Sequence, residues 1–198
     1  MDFATPDALP AGDRTREQLR RALRALRDGL PQRAARERAL DATLAAQLRA
    51  TPARCIGAYC RSRGEYDALA VLQRVGVELQ WPWRVALPVV QAERRGMRFC
   101  AWQPGQALRG GAYGIDEPAD CTEVLEPDLL LLPCLGFTAA RLRLGYGGGY
   151  YDRYLEHRRA VRTIGLAFDA CRVEGLLPQP HDRLLDLVLT ESARYPAH

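Results

Sequence analysis

Residues 143–153 read RLGYGGGYYDR, with glycine at 145, 147, 148 and 149 inside five positions. Backbone without side chains can turn its N–H groups toward one point and let an anion come close. A helix starting directly after the loop would add the partial positive charge of its N-terminus. Arg143 and Arg153 bracket the loop and would supply full cations. A merely flexible turn leaves those arginines, Tyr146, Tyr150, Tyr151 and Asp152 without a reason for being there. Asp152 lies in the first turn after the glycines, where a carboxylate either caps a helix or holds Mg²⁺ against bound phosphates. Mg²⁺ takes one or two protein carboxylates and keeps several waters. A second carboxylate stands in PHDRLLD (180–186): Asp182, with Asp186 the lesser choice.

Other residues could serve the same site. Arg16, Arg20, Arg24 and Arg27 recur at steps of four, four and three, one cationic stripe opposite a leucine face. Such a stripe is either a solvated surface or a grip for an anion. Glu65, in RSRGEYD (61–67), follows a short apolar segment and could accept paired N–H donors from a heterocycle. Tyr113 and Trp102 offer flat faces for stacking, or belong to the core. His157 and His198 read as surface residues, and His181 stands beside Asp182.

Composition narrows the class. All 28 basic residues are arginine. That excludes a lysine-dependent phosphate loop and makes any cationic phosphate contact a bidentate guanidinium. The formal charge of +4 is too modest to dictate a polyanionic partner. No uninterrupted apolar run, 129–132 included, exceeds five residues, far short of the ~20 residues of a membrane span. The acidic, proline-broken start has no secretory pattern, so a cytoplasmic protein is expected. Six scattered cysteines show no C-x-x-C spacing and are expected as reduced thiols.

These residues need a frame. Residues 1–13 read as a disordered leader and 14–198 as one α/β domain. Leu19, Leu23, Leu26 and Leu30 predict a first helix from about Arg14, and Leu40, Leu44 and Leu48 a second beginning near Pro31. Strands are predicted over 55–60, 85–90, 97–102, 128–133, 163–168 and 185–190, with helices over 67–75 and 149–158. The continuous apolar run DLLLLP reads as a strand buried on both faces. Alternating strands and helices imply a single Rossmann-like domain with a mostly parallel sheet flanked by helices.

LLPCLGF (131–137), RLGYGGGYYDRYL (143–155), the upstream GIDEP (114–118) and HDRLLDLVLTE (181–191) together resemble the 5-formyltetrahydrofolate cyclo-ligase, or methenyltetrahydrofolate synthetase, family. The resemblance spans roughly Arg16 to Glu191. It implies MgATP and a reduced folate as small-molecule partners, with no nucleic acid and no membrane, and a monomer is expected. Position by position, it implies that Arg16 and Arg20 meet ATP phosphates. It places the ATP loop on Arg143, Gly145, Tyr146, Gly147, Gly148, Gly149, Tyr150 and Tyr151, with Arg143 and Tyr151 at the reacting groups. Asp152 and Asp182 fall on magnesium positions, Glu65 on the folate-binding glutamate, and Cys60, Tyr113 and Tyr151 on folate-lining positions. The chain departs from the family pattern at Arg16, where lysine is usual. It departs again at Thr138 and Arg141, where aspartate and glycine are usual. The alternatives are a catalytically silent nucleotide- or folate-binding relative and a basic nucleic-acid-binding module.

Overall fold

A computed structural model describes residues 8–197. An eight-stranded sheet runs, edge to edge, through Arg194–Pro196, Leu187–Leu189, Arg162–Leu166, Leu129–Pro133, Cys55–Gly57, Arg84–Gln91, Gly96–Trp102 and Val124–Leu125. The five strands from Leu187–Leu189 to Arg84–Gln91 are mutually parallel. The remaining pairings, at the two edges, are antiparallel. The mostly parallel, helix-flanked sheet is thus as expected.

Leu129–Pro133 shows why the apolar run is continuous. Leu129 and Leu131 face one core with Ile56, Val85 and Leu87, covered by helices α1 (Arg16–Asp28), α2 (Arg33–Ala50) and α3 (Ala68–Glu78). Leu130 and Leu132 face the other with Cys55, Ala86 and Phe99, covered by Tyr154 and Leu155 of α4 (Tyr150–Leu155). Side chains two apart share a face, so a strand covered on both sides must be apolar throughout.

Local chemistry sets the helices. Thr15 caps α1 in a reciprocal box: the Gln18 amide donates to its hydroxyl at 3.3 Å, and the Gln18 side chain accepts from the Thr15 amide at 2.8 Å. Leu19 and Leu23 are buried beneath it. Asp67 caps α3 by accepting from the Ala70 amide at 3.2 Å. Pro31 does not open the second helix. It lies in the turn before it, and Gln32 takes a left-handed φ of 54° at the entry.

Three expectations need correction. Of the leader expected over 1–13, residues 1–7 lie outside the described residues, as does His198. Residues 8–13 are ordered: Leu9–Pro10 pairs in parallel with Val173–Glu174, and the Leu9 and Ala11 amides donate at 2.8 and 2.7 Å. Pro10, which has no N–H, falls between these two donors. The helix expected over 149–158 ends at Leu155. Cys100 and Cys121 are joined in a disulfide, because the antiparallel register puts Cys100 opposite Val124 and brings position 121 alongside. The other four cysteines are free and buried.

The sheet reverses its winding between Cys55–Gly57 and Leu129–Pro133. From the first the chain moves on to Arg84–Gln91, and from the second to Arg162–Leu166 on the other side. Loops leaving the carboxyl ends of two such strands diverge and leave a crevice, the usual ligand position in an open α/β sheet.

Candidate active site

A cavity of about 270 Å³ occupies that crevice. One wall is the loop after Cys55–Gly57, with Tyr59, Cys60, Ser62, Arg63 and Glu65. The facing wall is the glycine loop from Arg143 to Asp152. Arg16 and Arg20 enter from α1, and Asp182 from the segment before Leu187–Leu189. Pro88, Val90 and Met97, from the antiparallel pair, give an apolar side. Tyr113 closes the rim from a 3₁₀ turn, Ala112–Gly114. Every site residue that the family resemblance implies therefore lines one cavity, whereas Trp102, Arg153 and Asp186 do not.

The loop runs close beneath the Arg143 guanidinium and takes a backbone conformation that favours glycine. A Cβ at Gly145 would lie 2.7 Å from Nη1 of Arg143, and Gly147 has φ +99°. Arg143 is 9% exposed and donates from Nη2 to Oδ1 of Asp152 at 2.9 Å. Burial works against its charge, yet Asp152 and its other neighbours raise its pKa on balance, so it stays a cation. Its guanidinium stands 5.5 Å from the Tyr151 ring centre. Arg20 donates from Nε to the Gly145 carbonyl at 2.9 Å, which ties α1 to the loop. Arg153 donates to the Gly148 carbonyl at 2.8 Å and to the Arg95 carbonyl at 2.7 Å. It fastens the backbone and does not face the cavity as a free cation. With six residues, α4 is too short to contribute much dipole. Any anion there is met by loop amides and arginines.

Both acidic metal candidates are paired with arginine. Arg16 grips Asp182 through both carboxylate oxygens, and the Gln179 amide adds a donor at 2.7 Å. Burial pushes the Asp182 pKa up, but the Arg16 and Gln179 bonds outweigh it and hold the carboxyl below its ordinary value. Asp152 meets Arg143 through one oxygen only. Asp186 is excluded as a site residue: its Oδ2 accepts from the Thr163 amide and hydroxyl, both at 2.8 Å, and fixes a strand end. Among the described residues no group of three or more His, Cys, Asp or Glu is placed to hold a metal ion. The donor set present is two carboxylates on a shared cavity, which suits Mg²⁺ completed by phosphates and water.

Glu65 is 7% exposed. Its Oε2 accepts from the Ser62 amide at 2.8 Å, and the Tyr146 hydroxyl on the facing wall lowers its pKa. Burial pushes its pKa above the ordinary value despite those bonds and the charges of Arg27 and Arg63. Cys60 is buried beside it, and desolvation pushes its thiol up to about 11, so it lines the cavity as a neutral group. Burial likewise keeps the Tyr151 phenol protonated. Tyr113, 61% exposed at φ 61°, hydrogen-bonds the Tyr150 hydroxyl at 2.9 Å across the rim. Trp102 is in the core.

Two features escaped sequence reasoning. Arg27 belongs to the arginine stripe, yet it is 2% exposed and donates to the Tyr146 hydroxyl at 2.5 Å and to the Arg63 carbonyl. Glu117 is buried inside GIDEP and pairs with Arg109 at 3.1 Å, bracing the arm that carries Tyr113. A buried carboxylate flanked by turn residues was the available signal. The departures at Thr138 and Arg141 leave Arg143 in the cavity. Arg141 takes φ 68°, a conformation glycine adopts freely. Its guanidinium is anchored on the Leu185 and Pro196 carbonyls at 2.8 and 2.9 Å.

The model of the 5-formyltetrahydrofolate cyclo-ligase family matches residues 11–191. A 5-formyltetrahydrofolate cyclo-ligase from Mycolicibacterium smegmatis is 30% identical over 146 residues, covering 69% of this chain and 73% of that one. One from Haemophilus influenzae is 31% identical over 136 residues, 65% of this chain and 71% of that one. In fold, the chain is similar to the 5,10-methenyltetrahydrofolate synthetase of Aquifex aeolicus, with TM-score 0.73 and 24% identity over 91% of this chain and 92% of that one. It is also similar to that of Mycoplasma pneumoniae, with TM-score 0.71 and 23% identity over 89% and 98%.

Proposed function

The chain belongs to the 5-formyltetrahydrofolate cyclo-ligase family, and from that premise we propose how its own residues carry out the reaction. It is an ATP-dependent ligase of folate one-carbon metabolism that closes 5-formyltetrahydrofolate to 5,10-methenyltetrahydrofolate and releases ADP and phosphate. The observation that carries the residue assignment is the single cavity whose two walls hold, respectively, the buried Glu65 and the Arg143 glycine loop.

The formyl oxygen of an amide is a poor leaving group. Its attack on the γ-phosphorus forms an O–P bond and breaks the bond to ADP. N10 then attacks the formyl carbon and loses its proton, and phosphate departs with the C–O bond as the bridge closes. Such chemistry asks the protein for position and charge neutralisation. Arg143 and the amides around Gly145, Gly147, Gly148 and Gly149 meet the transferred phosphoryl group. Arg16 and Arg20 meet the rest of the triphosphate, and Tyr146, Tyr150 and Tyr151 enclose it. Asp152, with one carboxylate oxygen outside its ion pair, and Asp182, once Arg16 turns to phosphate, would hold Mg²⁺. When bound, the ion would neutralise phosphate charge. Glu65 accepts the pterin's N–H donors, while Cys60, Tyr113 and Tyr151 line that side. No cysteine acts as a nucleophile. Purified protein with MgATP and 5-formyltetrahydrofolate should generate the methenyl chromophore with one ADP per turnover. A chromophore that forms equally without ATP would overturn the scheme.

A further inference from the structure

We infer that Arg27 is a positioning residue for the folate-facing carboxylate: through the Tyr146 hydroxyl and the Arg63 carbonyl it sets Glu65 in the cavity wall. This rests on Glu65 meeting the pterin, as proposed above.

Arg27 occupies the buried side of α1 between Leu23 and Leu30, a place that a leucine would fill at no desolvation cost. Removing a cation from water costs several kcal/mol unless its surroundings compensate, so a buried guanidinium calls for a specific task. Its contacts converge on one loop. Nη1 donates to the Tyr146 hydroxyl oxygen at 2.5 Å, Nη2 donates to the Arg63 carbonyl, and the guanidinium stands 5.6 Å from the Tyr146 ring centre. Arginine can only donate. The Tyr146 oxygen therefore accepts from Arg27, and its one proton is left to turn toward Glu65, which lines the same cavity and whose pKa the Tyr146 hydroxyl lowers.

The backbone beneath Glu65 needs such support. Arg63 and Gly64 both take positive φ, at 49° and 72°. Arg33 of α2 fastens the following carbonyls, of Gly64 at 2.8 Å and Glu65 at 3.4 Å. Arg27 fastens the carbonyl before them and alone continues, through Tyr146, to the carboxylate. The groups bearing on Glu65 are Tyr146, Arg27 and Arg63, with the buried phenols of Tyr59 and Tyr151. Burial drives Glu65 toward its neutral form, and the Arg27 charge opposes this. Loss of Arg27 would leave a carboxylate that is both less fixed and harder to ionise.

The test is steady-state kinetics across pH on Arg27→Met, Arg27→Lys, Tyr146→Phe and Glu65→Gln, each melted to confirm folding. Arg27→Met should raise the folate KM about tenfold, within the range seen for contacting residues in one network. It should leave the ATP KM unchanged and move the acid limb of kcat/KM for folate to higher pH. Arg27→Lys keeps the cation and should restore the limb in part. In a Glu65→Gln background, adding Arg27→Met should change the folate KM less than about twofold, because its target is gone. A lowered melting temperature in Arg27→Met with folate KM and acid limb unmoved would assign Arg27 to stability alone and overturn the inference. If Arg27→Met does not fold, Tyr146→Phe, which breaks the relay and leaves Arg27, decides on the folate KM and the acid limb alone, because Tyr146 also encloses the nucleotide. An unchanged folate KM in Glu65→Gln overturns the role of Glu65 and the inference with it. A raised one there, with none in Arg27→Met or Tyr146→Phe, overturns the inference alone.

Discussion

Arg143 and Asp152 face each other at 2.9 Å across the glycine loop, one the buried cation and the other the carboxylate with an oxygen to spare. Arg16 and Asp182 form a second arginine–carboxylate pair in the cavity, in which Arg16 takes both carboxylate oxygens. Two of the three proposed phosphate-binding arginines are thus stored against proposed metal-binding carboxylates, while Arg20 stands beside Glu17. On the proposed assignment, a metal-bound triphosphate would let both pairs exchange partners without leaving a buried charge alone.

Arg143→Ala should therefore lower kcat by about 10²–10³-fold, the usual loss for one donor aimed at transition-state charge. Asp152→Ala should remove turnover through MgATP, and titration with ATP alone should show a smaller loss of affinity than titration with MgATP. Near-normal turnover of Asp152→Ala would remove the metal role.

Arg16→Ala and Arg20→Ala should weaken nucleotide binding and leave folate affinity in place. Arg16→Ala also unpairs Asp182, whose pKa the pair holds down. A carboxyl with a lowered folded pKa adds stability above its unfolded pKa and loses it as pH falls through the folded one. The melting temperature of Arg16→Ala should therefore lie below that of the wild type at pH 7, with the gap closing in acid below about pH 4. Unchanged nucleotide affinity would return the helix to a solvated surface.

Glu65 carries the opposite sign. Its folded pKa is raised, so its contribution to stability is complete below the unfolded pKa and is lost as pH rises through the folded one. Glu65→Gln should melt higher than the wild type at pH 7 and equal to it in acid, while raising the folate KM. Differential scanning calorimetry from acid to neutral pH checks the sign. A variant less stable at pH 7 would show that ionised Glu65 is well compensated.

Thiol titration under non-reducing denaturation should count four reactive cysteines, Cys55, Cys60, Cys134 and Cys171, and two more after reduction. Six at once would mean that Cys100 and Cys121 are not bridged. The bridge spans the arm that carries Tyr113, so its loss would loosen the folate rim before the nucleotide loop.

The parts that were legible in the sequence are those set by local rules. Leu129 to Leu132 announced a strand covered on both faces, and the four glycines beside Arg143 announced a loop open to close approach, which lines the cavity. What stayed hidden depends on distant partners. Arg27 follows the same helical period as Arg20, and only the fold makes one a buried relay and the other a rim cation. Asp182 and Asp186 are four residues apart in similar company. Only the sheet shows that Asp186 is used up at Thr163. The strand at Leu9–Pro10 exists because the carbonyls of Arg172 and Glu174 await it, more than 160 residues later. The Cys100–Cys121 bridge follows from an antiparallel register that composition does not encode.

The scheme is tested most directly with 5-formyltetrahydrofolate carrying ¹⁸O in its formyl group. Phosphoryl transfer to that oxygen predicts one ¹⁸O in each inorganic phosphate released, read by mass spectrometry or the ³¹P isotope shift, with none in ADP. Unlabelled phosphate, with the label appearing in water, would mean that ATP is hydrolysed apart from the formyl oxygen and would contradict the account.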